Sequence, residues 1–263
     1  MKISFHKYHG AGNDFVIIDN RNDNIQLSTK QIALFCHRRF GIGADGLMTI
    51  ENDKEFDFKM KYYNSDGAEG SMCGNGGRCI VAFAKKLGII SKETTFVATD
   101  GIHKAKINSE KNEISDISLN MNDVENISIN KDSYFLDTGS PHHISFVNDV
   151  DTINVFEDGK KIRYSDKYKS SNGTNVNFIE VKDEYLKIRT YERGVENETY
   201  ACGTGATAAA IAYAHKEGFL NKEIQLKAVG GNLSLSFVKE GDIYKKVILR
   251  GPAEFVFSGT IEL

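Results

Sequence analysis

Hydrophobic and polar residues alternate along residues 55–62, EFDFKMKY, where Phe56, Phe58, Met60 and Tyr62 interleave with Asp57, Lys59 and Lys61. A period of two belongs to a strand with one buried face. Leu186, Ile188 and Thr190 alternate in the same way with Lys187, Arg189 and Tyr191. Further short strands are predicted at 15–19, 95–99, 115–121, 134–137, 176–181 and 245–249, divided by Gly, Asn and Asp clusters. Helices are fewer. Ser28 with Gln31 makes a capping-box signal that opens a helix, and Gly41 is expected to end it. Residues 79–84 and 206–212 form two more helices, apolar nearly all round, and such helices are buried on every side. Many short strands with two fully buried helices predict sheets curled around a central helix, twice over.

The doubling has its own signal. Aligning Cys73 with Cys202 also matches Glu69 with Glu198, Gly74 with Gly203 and Gly76 with Gly205. Each cysteine follows a strand ending in a tyrosine, Tyr63 or Tyr191, and precedes a buried helix. A fainter echo sets residues 9–13 (HGAGN) against 136–140 (LDTGS). The fold expected is therefore α+β, with two pseudo-symmetric domains. Each is a curled, mostly antiparallel, barrel-like sheet around a buried helix, with the active site in the cleft between domains. The domain change is placed in the Asn/Asp-rich stretch 120–130, giving 1–122 with Cys73 and 123–253 with Cys202. The last strand, 254–263, is expected to return to the first domain.

Composition narrows the function classes. The chain has 263 residues, 40% hydrophobic and 26% charged, enough for a normal core without covalent staples. A net charge of −3 without a basic stripe argues against a nucleic-acid partner. No apolar run approaches the roughly 18–20 residues a membrane span needs, and residues 1–15 lack the apolar stretch of a secretory signal. The expected compartment is the cytoplasm, where the four cysteines, 36, 73, 79 and 202, are expected to be free thiols. Their spacing fits no structural zinc site, and no metal is expected.

Two Cys-Gly-x-Gly turns at helix starts carry the candidate chemistry. Glycines leave the first amide N–H groups uncovered, and such a helix end binds anions such as a carboxylate. The same partial charge favours thiolate over thiol. With Cys73 and Cys202 facing each other, a carboxylate held by both helix ends sets its α-carbon between two sulfurs. One thiolate removes the α-proton and the opposite thiol delivers one to the other face, inverting the centre without a cofactor. A single buried cysteine reads more simply as core, since free cysteine is among the most buried residues. Two in matching turns of a duplicated unit reverse that preference, whereas Cys36 and Cys79, inside apolar helical stretches, keep the core reading.

At these residues the chain resembles the diaminopimelate epimerase family nearly end to end. The motifs are His9-Gly-Ala-Gly-Asn13-Asp14-Phe15, Gly41-Ile-Gly-Ala-Asp45-Gly, Tyr63-Asn64-Ser-Asp66-Gly and Met72-Cys-Gly-Asn75-Gly-Gly-Arg78-Cys. They continue through Gly139-Ser-Pro141-His142, Gly173-Thr-Asn175-Val-Asn177-Phe, Tyr191-Glu-Arg193-Gly-x-Glu196 and Ala201-Cys-Gly-Thr204-Gly-Ala. The resemblance implies an epimerase interconverting LL- and meso-diaminopimelate, in lysine and peptidoglycan precursor synthesis, with no cofactor. It implies that Asn13, Asn64, Asn175, Glu192 and Arg193 line the substrate pocket, with Arg193 on the distal carboxylate. Gly74, Asn75, Gly203 and Thr204 would hold the reacting carboxylate, while His142 and Glu192 tune the thiols. Read singly, Asn13 and Asn64 are also ordinary turn formers, Glu192 and Arg193 a solvated pair, and His142 a strand-end cap. Two positions depart from the family pattern: Ser140 where many members have Asn, and Gly46 where some have a Gln that touches substrate. The partner expected is a small molecule, and a homodimer is left open. Rival readings are a racemase of another amino acid, of histidine or proline type, and a non-catalytic amino-acid-binding protein. The binding protein would need no thiol at either helix end.

Overall fold

The computed structural model describes residues 2–22, 24–70, 72–131 and 133–262. Its contacts divide into two units, Met1–Leu119 with Gly251–Leu263, and Asn120–Arg250. Both divisions fall three residues before the positions expected, and at the second the last strand changes its pairing partner at Gly251.

The first unit contains β1 (Lys2–Gly10), β2 (Asn13–Asp19), α1 (Thr29–Cys36), β3 (Gly46–Glu51), β4 (Phe58–Asn64) and the short β5 (Glu69–Gly70). It continues with α2 (Gly74–Lys86), β6 (Glu93–Ala98), β7 (Gly101–Lys111) and β8 (Ile114–Asn120). The sheet runs β1–β2–β3–β4–β6–β7–β8, with β2–β3 and β4–β6 parallel and the other pairs antiparallel. The final strand, β17 (Ile243–Glu262), pairs with β8 over 251–254 and with β1 over 254–262, which closes an eight-stranded ring. Of the expected strand 254–263, Leu263 lies outside the described residues. Parallel neighbours need a crossover. The β2-to-β3 crossover carries α1, and the β4-to-β6 crossover carries α2.

These two helices cover opposite faces of the sheet. Ile32, Phe35 and Cys36 of α1 pack with Ile3, Phe5, Val16, Ile18 and Leu47. The other face meets α2, which packs against β1, β2, β3 and β7 and is buried from Gly74 to Ala84. Phe15, Val16, Ile17 and Ile18 are consequently all fully buried, because each face of β2 has a helix on it. Glycine lets α2 come close to the sheet. A Cβ at Gly77 would lie 2.9 Å from a Leu119 methyl and 3.0 Å from the Met72 sulfur. The capping box at Ser28 and Gln31 is formed. Gly41, however, does not end that helix: α1 stops at Cys36, and Gly41 sits where the chain folds back, its N–H on the His37 carbonyl at 2.9 Å. A side chain there would collide with the Leu34 carbonyl, at 1.9 Å.

The second unit repeats the plan with β9 (Ser128–Asn130), β10 (Ser133–Asp137), β11 (Pro141–Phe146), α3 (Val155–Arg163), β12 (Asn175–Val181) and β13 (Leu186–Glu192). The short β14 (Asn197–Thr199), α4 (Gly203–Glu217), β15 (Asn221–Ala228), β16 (Gly231–Glu240) and the first part of β17 complete it. Here β11–β12 and β13–β15 are the parallel pairs. The segment 121–130 joins the two ends of the array, through Val124 on Tyr244 at one end and β9 on β10 at the other. α4 packs against β10, β11, β12, β13, β15 and β16. Its alanines, from Ala206 to Ala214, keep its girth small enough for the interior of an eight-stranded ring. α3 takes the place of α1 and lies on β12 and β13. Among the described residues no helix is long and apolar enough to cross a membrane.

Candidate functional site

Cys73 is the N-cap of α2 and Cys202 the N-cap of α4, each in extended backbone just before the first helical residue. The repeat seen in the sequence is therefore a structural repeat. Tyr63 pairs with Glu69, and Tyr191 with Glu198, so both cysteines follow the same strand-and-return element. Residues 9–13 and 136–140 are likewise the tight connections between the first two strands of each ring, with Gly12 and Gly139 at φ 83° and 100°.

In the first unit, Asn13, Gly74, Asn75 and Cys73 come together. The Cys73 sulfur lies 3.6 Å from Asn13 Oδ1, which also accepts from Asn75 Nδ2 at 3.1 Å. Asn13 is turned this way by Asp45, whose Oδ2 accepts from its Nδ2 at 2.8 Å. Asp45 is itself bound by Arg38, which with Lys7 also holds Asp14. Burial alone would raise the Asp14 carboxyl, but the hydrogen bonds from Arg38 and Lys7 outweigh it and bring it down to about 2. Asn64 stays exposed at the end of β4, opposite Gly46, and its backbone opens the turn to Ala68. At Gly46 a Cβ would sit 2.6 Å from the Tyr62 ring, so that tyrosine fills the room a longer side chain would need.

Arg78 carried no assigned role from the sequence, yet it belongs to this cluster. It is fully buried and donates to Asn75 Oδ1 at 2.8 Å, to the Gly74 carbonyl at 3.2 Å and to the Pro252 carbonyl at 3.3 Å. Burial lowers its proton affinity. The available signal was a charged residue on an otherwise apolar helix.

In the second unit, His142, Asn175, Ser140, Thr204 and Cys202 form one connected cluster. The Cys202 sulfur accepts from the Gly205 N–H at 3.4 Å and lies 3.4 Å from Thr204 Oγ1. Thr204 Oγ1 is 3.3 Å from Ser140 Oγ, which is 3.0 Å from His142 Nε2. His142 does not reach the sulfur directly. Complete burial, then the charge of Arg193, lower its pKa to about 3, so the ring is neutral at physiological pH. Asn175 accepts the Arg193 backbone N–H at 2.8 Å, and the Arg193 guanidinium donates to the Ser171 carbonyl at 3.2 Å. Glu192 accepts from the Thr199 hydroxyl at 3.0 Å. Gly203 begins α4, and its carbonyl takes the Thr207 hydroxyl at 3.0 Å. Asn177, another residue without a role assigned from the sequence, lies under this cluster and donates to His142 Nδ1 at 3.1 Å.

The other two cysteines are core residues. Burial pushes the Cys36 thiol up to about 12 and raises Cys79 further. Among the described residues no group of three or more His, Cys, Asp or Glu could hold a metal ion.

Comparison with known proteins gives a consistent relationship. The family model described as diaminopimelate epimerase matches residues 5–127 and 134–256. A diaminopimelate epimerase of Flavobacterium psychrophilum is 52% identical, covering 98% of this chain and all of the relative. One from Chlorobaculum tepidum is 40% identical over 97% of this chain and 99% of its own. Among solved structures, a phenazine biosynthesis protein of the PhzF family from Bacillus anthracis superposes with a TM-score of 0.79 at 14% identity, over all of both chains. A hydroxyproline epimerase from Agrobacterium vitis superposes with a TM-score of 0.75 at 11% identity, over all of this chain and 93% of that one. At such identities the structures share the fold with this chain and nothing more specific. By the family model and the close relatives, the chain belongs to the diaminopimelate epimerase family.

Proposed function

We propose that this protein interconverts LL- and meso-diaminopimelate by two-base proton transfer at the α-carbon, with Cys73 and Cys202 as the two acid/base groups. The observation that carries the reading is the placement of both thiols as N-caps of equivalent buried helices in a duplicated unit. Each helix thus begins with amide N–H groups that have no carbonyl one turn earlier in the helix, and a helix end of this kind binds anions. The substrate's α-carboxylate is bound by such helix ends, through Gly74 and Asn75 of α2 and through Gly203 and Thr204 of α4. One sulfur, as thiolate, takes the α-proton. The electron pair left on carbon delocalises into the carboxylate, where the helix N–H groups stabilise the extra charge. The second sulfur, as thiol, gives its proton to the opposite face, and the two cysteines have exchanged protonation states. The next turnover runs in reverse or after proton exchange with water. Arg193 takes the distal carboxylate, with Asn13, Asn64, Asn175 and Glu192 lining the rest of the pocket. This reading carries with it a cytoplasmic biosynthetic role and a small-molecule partner.

The test is α-hydrogen exchange. Diaminopimelate incubated with the reduced, folded protein in D2O, without pyridoxal phosphate, gains deuterium at the α-carbon as the isomers interconvert. Cys73→Ser and Cys202→Ser each lower interconversion by at least about 100-fold, the lower bound for losing a positioned acid/base group. Absence of exchange by the wild-type protein, or full activity in both serine variants, overturns the proposal.

A further inference from the structure

The two copies of the unit differ beneath their thiols. In the first, the positions flanking Gly76 are Phe15 and Met48, both fully buried and apolar. In the second, the positions that correspond through the strand registers are His142 and Asn177, both fully buried and polar, with Asn177 against Gly205. A buried polar pair is costly unless every group is satisfied. Here each group is satisfied, and the donors and acceptors fix the direction of the bonds as far as Thr204.

Asn177 fixes the first step. Its Oδ1 accepts from the Thr190 hydroxyl at 2.9 Å, and its Nδ2 donates to the His143 carbonyl at 3.0 Å and to His142 Nδ1 at 3.1 Å. Flipping the amide would set oxygen against the His143 carbonyl oxygen, so the orientation is determined. His142 Nδ1 is then an acceptor, and the neutral ring carries its proton on Nε2. That proton goes to Ser140 Oγ. Asn175 is fixed in the same manner: Oδ1 takes the Arg193 N–H, and Nδ2 donates to the Pro141 carbonyl at 3.0 Å and to Ser140 Oγ at 3.3 Å. With both lone pairs of Ser140 occupied, its own proton must point at Thr204 Oγ1. Thr204, having accepted this bond, keeps its own hydroxyl proton, which a thiolate at Cys202, 3.4 Å away, can only accept.

Resting on the proposed two-thiol chemistry, we propose that Ser140 is a positioning residue which, oriented by His142 and Asn175, aims the Thr204 hydroxyl at the Cys202 sulfur and so stabilises the thiolate there. The sulfur then meets this hydroxyl as well as the Gly205 N–H. In the first unit the side chain corresponding to Ser140 is Asn13, and it presents an acceptor oxygen to Cys73 instead. Other charged groups near the relay are Glu192 at the end of β13, Arg193 just after it and Asp137 at the end of β10. The first turn of α4 carries no acidic residue.

The experiment follows alkylation of each cysteine by iodoacetamide across pH in the full-length protein, read by peptide mass spectrometry. Because it requires no substrate, its failure is distinguishable from failure of the epimerase reading, which the deuterium assay tests alone. Ser140→Ala raises the pH midpoint for Cys202 by about one unit, a roughly tenfold change in proton affinity, and leaves the Cys73 profile in place. Thr204→Val produces the same shift, and the double variant shifts no further than either alone, because both remove the same hydrogen bond. An unmoved Cys202 midpoint in either folded variant, equal shifts at both cysteines, or additive shifts in the double variant overturn the proposal.

Discussion

Glu196 holds together the loop that presents Glu192 and Arg193, and neutralising it gives a prediction with a defined size and pH signature. Its carboxylate receives Arg163 Nη2 at 2.8 Å and Nε at 3.0 Å, the Tyr164 hydroxyl at 2.8 Å, the Tyr191 hydroxyl at 3.1 Å and the Gly194 N–H at 2.9 Å. The residue itself has φ 57°, an unfavourable conformation for a side chain other than Gly or Asn, so the loop depends on these bonds. Partial burial raises this carboxyl, but the hydrogen bonds from Arg163, Gly194 and Tyr164 outweigh it and bring it from the usual 4.5 to about 2. At full strength that depression corresponds to about 3 kcal/mol. The Glu196 side chain is 34% exposed, against 10% for Arg163, and solvent screening reduces the figure to about 1–2 kcal/mol. Glu196→Gln keeps the shape and removes the charge, so at pH 7 it destabilises the protein by that amount. A depressed carboxyl contributes its full stabilisation above the unfolded value of 4.5 and loses it as pH falls toward 2. The gap between wild type and variant therefore shrinks by about half at pH 3. Urea unfolding followed by tyrosine fluorescence reads both values, since the chain has 11 tyrosines and no tryptophan. A variant within about 0.5 kcal/mol of wild type at pH 7, or a gap as large at pH 3 as at pH 7, refutes the argument.

Two further substitutions test packing. Gly205→Ala sets a methyl 2.5 Å from Asn177 Oδ1 and 3.3 Å from the Cys202 sulfur. Asn177 has no room to yield, so the overpacking costs about 1–3 kcal/mol despite alanine's helix preference, and epimerisation falls; a variant of wild-type stability in chemical denaturation sinks this. The Tyr244 hydroxyl is buried without a hydrogen-bond partner among the described residues. Tyr244→Phe therefore stabilises by about 1 kcal/mol in the same measurement, and a clear loss of stability shows that the hydroxyl is bonded.

Local physics made part of the molecule legible from the sequence. Alternation placed β4 and β13 within a few residues, since each has one face in the core and the period of two survives. The capping box at Ser28, the two apolar helices and the cysteine repeat are also short-range patterns, and the helices they announce are present as α1, α2 and α4. The strand β3 shows no alternation, because its first five residues are all buried. α3 escaped because Gly159 interrupts a short and polar helix; that glycine is required by Tyr191, whose Cβ a side chain there would approach to 2.4 Å.

What the sequence determined by itself is the inventory: a duplicated unit, a thiol heading a buried helix in each copy, and a set of polar residues in glycine-rich turns. Tertiary structure alone decided which strand neighbours which, because ring closure pairs β1 with residues 254–262 at the far end of the chain. It also decided what each polar residue does. Arg78 becomes a buried clamp on Asn75, Asp45 sets the direction of Asn13, and the buried His142–Asn177 pair replaces the apolar Phe15–Met48 pair of the other copy. Hydrogen-bond direction depends on every partner at once, and those partners are brought together from distant segments only by the fold.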